Sequence, residues 1–190
     1  ICAIRGIPEF VYSRGKGLIE ARALFVYGTI LSALVLSVMF VQFLDASRLP
    51  AIHDISTDSA EPPEFDRLIA VRGTTSNDLT YTDGDRQQQA LAYPEIKTLH
   101  TNRGLNESFD RALVVAKTMG WEIVNSDRRS GIIEYTATTF WFGFKDDVVI
   151  RIRDESGGTL IDLRSVSRVG MSDLGANAKR IARFLAEFAR

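Results

Sequence analysis

A membrane-crossing helix followed by a two-layer α+β domain is the architecture this chain predicts, and three observations carry it. Residues 23–44 form an uncharged apolar run, roughly 33 Å long as a helix, which suits a hydrocarbon core of about 30 Å. Beyond residue 106, apolar residues recur at helical spacing, then at strand spacing in four successive runs, then at helical spacing again. The connections between the strand-like runs are short, with turns rich in Asp, Ser and Gly at 127–131 and 154–158, which pairs neighbouring strands antiparallel. The expected order is therefore α-β-β-β-β-α, with both helices on one face of an antiparallel sheet and a long irregular strap before it.

Residues 1–21 mix apolar and basic side chains and read either as an interfacial segment or as an ordinary cytoplasmic loop. Residues 22–45 are the span, bounded by Arg22 and Asp45. Within it, Gly28, Ser32 and Ser37 are small enough to let a neighbouring helix approach. A cleaved signal peptide has an apolar region of about 7 to 15 residues and ends at small residues. This run is longer and leads into Gln42-Phe43-Leu44-Asp45, so a retained helix is expected. An opening on Ile1 and not Met leads us to expect further sequence upstream. Arg5, Arg14, Lys16 and Arg22 precede the run, and basic flanks stay in the cytoplasm. The expected location is a bacterial inner membrane, crossed once by this chain, with a periplasmic domain. Cys2, the one cysteine, falls on the cytoplasmic side and leaves that domain without a disulfide.

Residues 46–105 are expected to form an extended strap that wraps the folded core or lies on a partner. Pro50 ends the helix and Pro62-Pro63 stiffens the middle of the strap, with turn chemistry at 74–78 and 82–85. A short helix over about 86–93 stops before Pro94. The core, 106–190, opens with Asn106 as a helix cap, followed by Phe109, Ala112, Leu113, Ala116 and Met119 at helical spacing, and Gly120 as the stop. Strands are expected at 121–125, 132–139, 147–153 and 159–167. In the third, Val148, Ile150 and Ile152 face one way and Val149, Arg151 and Arg153 the other. That second face, joined by Arg164 and Arg168, is expected to be wet or bound to something. Ser172 or Asp173 caps a last helix whose apolar stripe is Leu174, Ala178, Ile181, Leu185 and Phe188.

Several function classes find no support. A net charge of −1 gives no reason to expect nucleic acid. The span separates Cys2 from His53 and His100, no G-x-S-x-G elbow is present, and two isolated histidines do not make a zinc set. Asp83-Gly84-Asp85 lacks the later ligands of a calcium loop and reads as a turn. No cofactor and no metal are expected. Two tracts stand out instead. Phe140, Trp141, Phe142 and Phe144 either complete the core as a strand end or present an apolar surface to a membrane, a lipid or a partner. Arg164 and Arg168 either receive an anion with the helix start that carries Asp173 and Asn177, or Arg168 pairs internally with Asp173; the internal pair is the preferred reading.

The stretch from Leu49-Pro-Ala-Ile-His53-Asp54 through Asp58 to Pro62-Pro63-Glu-Phe65 resembles the opening of a bacterial and plastid family known only as a domain of unknown function, DUF1499. Ala92-Tyr93-Pro94-Glu-Ile96, the tract 139–147 and the tract 164–180 resemble its later motifs, in order. The likeness runs over about 49–190. It implies a domain boundary and candidate surface residues but no activity, and members are often preceded by hydrophobic segments. The leading expectation is a non-enzymatic, membrane-anchored accessory or scaffold subunit of a larger inner-membrane complex, partnered by integral membrane proteins through Gly28 and Ser32. The alternative is a tethered domain that binds a lipid or other apolar ligand. A third expectation is an enzyme that uses His53 with Asp54 or Asp58.

Overall fold

The structure, a computed structural model, describes residues 16–47, 49–139 and 142–190. Two units separate after residue 48, Ile1–Arg48 and Leu49–Arg190. In the first, helix α1 (Lys16–Ser47) contains a stretch, Arg22–Leu44, with a mean hydropathy of 2.3. It is long and apolar enough to cross a membrane. Two of its hydroxyls donate back into the helix. Thr29 Oγ1 donates to the Phe25 carbonyl at 2.9 Å and Ser37 Oγ to that of Ala33 at 2.7 Å.

The second unit is built on one antiparallel sheet. Strands β3 (Glu122–Asp127), β4 (Ile132–Thr138), β5 (Lys145–Glu155) and β6 (Gly158–Ser167) succeed one another as hairpins. Their bounds lie within a few residues of those expected, and the β5–β6 hairpin closes through Ser156-Gly157. Helices α4 (Leu105–Thr118) and α5 (Ala176–Ala189) cover one face. Between helices and sheet lies the main core, with Phe109, Tyr135, Ile150, Leu163, Ile181, Phe184 and Phe188 all buried. Trp121 stacks on Phe184 with ring centroids 5.7 Å apart and meets the edge of Tyr135 at 5.8 Å.

The strap proves to be part of this domain. Residues 46–105 contribute β1 (Asp54–Ser56), helices α2 (Arg67–Val71) and α3 (Asp83–Ala92), and β2 (Leu99–Thr101). Both short strands pair antiparallel with β6 along its one free edge, β1 with 164–166 and β2 with 159–161, giving six strands in place of the expected four. No boundary falls at 105/106. Three-residue strands are too short to show a period of two, so they leave no trace in the hydrophobic pattern. The turn expected at 82–85 is the start of α3, because Thr82 and Asp85 form a reciprocal capping box that supplies the first-turn amides with acceptors. Likewise α4 begins one residue before its expected cap Asn106, with Gly104 in the cap position.

The second face of the sheet is covered as well. Phe65 and Leu68, from the segment around α2, pack on Val149 and Val166, with Leu79, Val124 and Ile132 around them. The expectation of a wet or ligand-covered face is therefore corrected: this chain covers its own sheet on both sides. On the first face, Leu174 is exposed and sits outside α5, while Phe184 takes a core position the expected stripe omitted.

The turn from β3 to β4 depends on Gly131. Its φ is +69°, and a Cβ there would lie 2.1 Å from the Ile152 carbonyl oxygen. At Gly157, φ is +98° but the space around it is open. We therefore expect Gly131→Ala to lower stability by about 2 kcal/mol or more and Gly157→Ala by about 1 kcal/mol, read from urea unfolding of the whole chain in detergent.

Candidate functional site

Two regions hold the residues singled out above. The first is the sheet face beneath the strap, where alternate positions of β4, β5 and β6 carry charge in place of apolar side chains. Arg164 on β6 grips Asp54 on β1 with two donors, Nε to Oδ1 at 3.0 Å and Nη2 to Oδ2 at 2.6 Å. Its remaining donors reach the carbonyls of Pro63 and Leu79, and its guanidinium lies 5.6 Å from the Phe65 ring centre and 5.8 Å from that of Tyr81. Both charged groups are buried. Burial pushes the Asp54 carboxyl above the usual carboxylate range, and the bond and charge of Arg164 pull it back.

Neighbouring pairs repeat the pattern. Asp147 on β5 receives Arg168 Nε at 3.0 Å and Arg72 Nη1 at 2.6 Å. Asp162 on β6 receives Arg153 at 2.8 Å and Arg151 at 3.1 Å, and both arginines also reach Asp58 of the strap. Glu134 on β4 accepts the backbone N–H groups of Asp66, Arg67 and Leu68, so a carboxylate from the sheet caps α2. Gln89 on α3 acts as a piece of backbone. Its amide receives the Ser56 N–H at 2.9 Å and donates to the Ser56 carbonyl at 2.6 Å, which closes the outer edge of β1.

These bonds correct two expectations. Arg168 pairs with Asp147 and not with Asp173. Nor do Arg164 and Arg168 present an anion site with the start of α5, since the guanidinium of each is taken up by a buried carboxylate. Asp173 instead caps α5 directly, accepting from the Gly175 and Asn177 amides at 2.8 and 2.7 Å. Burial raises its pKa while these amides lower it. Asn177 is buried and ties the helix to the sheet, donating to the His53 carbonyl at 2.9 Å and to Ser167 Oγ at 3.0 Å. His53 sits beside Asp54 in the chain, but the Asp54 carboxylate is committed to Arg164. Among strap residues, Pro63 is buried and supplies a carbonyl to Arg164, whereas Pro62 is half-buried and lines an open cleft with Glu61, Glu64, Asp66, Asp127 and Arg151.

The second region is the end of the sheet where β4 turns into β5 and β6 leads to α5. Phe140 and Trp141 lie outside the described residues. Phe142 and Phe144 are exposed and stacked on each other at 5.6 Å, with Gly143 between them at φ +65°. They sit in the loop and not in a strand, so Phe142 and Phe144 do not complete the core as a strand end. The Phe144 amide donates to Thr139 Oγ1 at 2.9 Å and the Thr139 amide to the Phe144 carbonyl at 2.8 Å, which closes the loop. Sequence reasoning missed Val169, Met171 and Leu174, which are exposed on the adjacent loop. It also missed Asp147 and Asp162; their signal was charge at the alternate positions of β5 and β6 that point away from the helices. Gly28 and Ser32 line a shallow apolar groove on α1 with Phe25, Thr29, Ala33 and Leu36.

The charged face makes a stability prediction. Arg164→Met leaves Asp54 buried without its cation and should cost about 3–5 kcal/mol in urea unfolding, while adding Asp54→Leu should recover part of that loss.

A search of curated proteins finds no match to the chain. The family described as "Protein of unknown function (DUF1499)" matches residues 54–188, from the first residue of β1 to within α5. The match takes in the charged face, the strap that covers it and both loops at the apolar end. The chain therefore belongs to the DUF1499 family.

Proposed function

We propose that this protein is a non-enzymatic accessory or scaffold subunit of a larger inner-membrane complex. In this reading α1 is retained as the anchor, its amino end lies in the cytoplasm, and the Leu49–Arg190 unit stands in the periplasm. The observation that carries it is the groove on α1. Gly28, Ser32 and Ala33 lie along one side of a helix whose described side chains are exposed throughout, which is the surface a second membrane helix packs against. The charged face supports the same reading from another direction. Its carboxylates hold the strap in place, a task of construction, and a firmly closed domain suits a subunit that props or caps a neighbour.

The alternative, a domain holding a lipid or other apolar ligand, has less behind it. A smaller open cleft under the strap is lined by Pro62, Phe65, Ile69, Leu79 and Tyr81, but the two larger ones are lined largely by charged and polar side chains, including Glu61, Glu64, Asp127 and Arg151 in one and His100, Arg103 and Glu107 in the other. An acyl chain would be poorly matched to either.

The test is extraction in mild detergent from cells producing the tagged chain. We expect integral membrane proteins at fixed stoichiometry, and at least about a tenfold loss of them with Gly28→Leu/Ser32→Leu, a change of about 1.4 kcal/mol or more. Domain melting should stay unchanged in that variant. A monodisperse monomer without a partner overturns the proposal.

A further inference from the structure

We infer that the apolar end of the Leu49–Arg190 unit is a membrane-docking surface, whose loops at 142–144 and 169–174 enter the interfacial layer of the bilayer that α1 crosses. This rests on α1 being a retained anchor, but it concerns a different surface and a different partner from the groove on the helix.

Three observations converge. The first is the ends of the sheet. Phe142, Phe144, Val169, Met171 and Leu174 are between 49% and 84% exposed. The two loops that bear them are adjacent, because the Arg168 amide donates to the Lys145 carbonyl at 3.1 Å. The opposite end carries Asp127-Arg128-Arg129-Ser130 and Asp154-Glu155-Ser156. A strand of 11 residues separates the ends by roughly 35 Å. One end is greasy and the other is charged.

The second is Leu174. It is the one non-glycine residue with positive φ among those described, at +52°, followed by Gly175 at +77°. Left-handed backbone costs a leucine on the order of 1 kcal/mol that glycine or asparagine would avoid. Here that cost holds an apolar side chain out in solvent. Neither the strain nor the exposure helps the isolated domain; both are offset if the side chain is buried in something outside it.

The third observation, chain length, names that something. The carbonyl of Pro50 accepts from Ser172 Oγ at 3.3 Å, that of Ile52 accepts from the Asp173 amide at 3.2 Å, and Leu49 lies against Gly175. The domain thus begins on the very loop that carries Met171 and Leu174. From Leu44, the last residue of the apolar stretch, to Pro50 the chain can reach only roughly 15 Å. A bilayer crossed by α1 lies within that reach of the apolar end. Aromatic, Met and Leu side chains suit the interfacial layer, and Lys145, exposed beside Phe144, suits lipid phosphates.

The test uses the full chain with Cys2→Ser, carrying Met171→Cys, Leu174→Cys or Ser156→Cys in turn. Each variant is labelled with an environment-sensitive fluorophore and reconstituted into phosphatidylcholine–phosphatidylglycerol vesicles without other protein. Flotation reports the anchor. We expect flotation of all three, with labels at 171 and 174 at least about twofold more quenched by doxyl-labelled lipid than the label at 156. Adding Phe142→Asp should move the 171 label toward the value at 156. Flotation with all three labels equally wet, or equally quenched, overturns the docking surface and leaves the anchor standing. Labels at 171 and 174 that are wet in lipid but shielded in native membranes overturn it in favour of a protein partner. Absence of flotation removes the anchor, and with it this inference.

Discussion

The pair formed by Arg164 and Asp54 is the constraint on which the arrangement of this domain turns. It joins the last strand to the first across a sequence separation of 110 residues, and its buried guanidinium lies over the rings of Phe65 and Tyr81. Burying such a pair adds little stability over apolar residues of like size, because both ions lose their hydration. What it supplies is specificity. A guanidinium with donors to Asp54, Pro63 and Leu79 admits one path for the strap, whereas an apolar face would accept several. Asp147 with Arg72, and Asp162 with Asp58 through two arginines, repeat the constraint along the same face.

The sheet therefore has two interiors of different kinds. Toward α4 and α5 it is held by aromatic and aliphatic packing, which is tolerant of direction. Toward the strap a smaller apolar cluster around Phe65 and Leu68 is joined by charge-assisted hydrogen bonds, which are not. The strap also has apolar anchors, Ile52, Ile55 and Ile96 in the main core and Phe65 and Leu68 on the second face, so the charged bonds add direction to an attachment that packing begins. Glu134 and Gln89 show the same economy: one carboxylate satisfies the start of a five-residue helix, and one side-chain amide completes the edge of a three-residue strand. The result is a domain closed on both faces and along the edge formed by β1.

The order α-β-β-β-β-α was legible because its elements are long enough to display a period. The alternation of β5, with Val148, Ile150 and Ile152 toward the helices and Arg151 and Arg153 away, could be read directly. The strap was not legible, because β1 and β2 exist only through their pairing with β6. Proximity in the chain misled the assignment of Arg168: Asp173 is five residues away, but Asp147 comes beside it across the hairpin. Leu174 fell at helical spacing from Ala178 and so passed for core. Of the apolar end, the aromatic tract was conspicuous in the sequence. Val169 and Met171 were not, since lone apolar residues in a loop carry no pattern and only the fold gathers them beside Phe142.

The edge position of β1 has a consequence for the order of events during synthesis. Asp54, Ser56 and Thr57 leave the ribosome among the earliest residues of the domain, yet their partners at 163–166 emerge almost last. Until then the growing polypeptide holds an unpaired carboxylate and a strand with no neighbour, directly behind a greasy helix. Closure of such non-local contacts is slow, because the entropy of bringing distant segments together is lost before the contacts form. The domain is thus completed from its carboxyl-terminal side, and a chain cut short before Gly158 would have its apolar helix but lack the strand that gives the following unit its form.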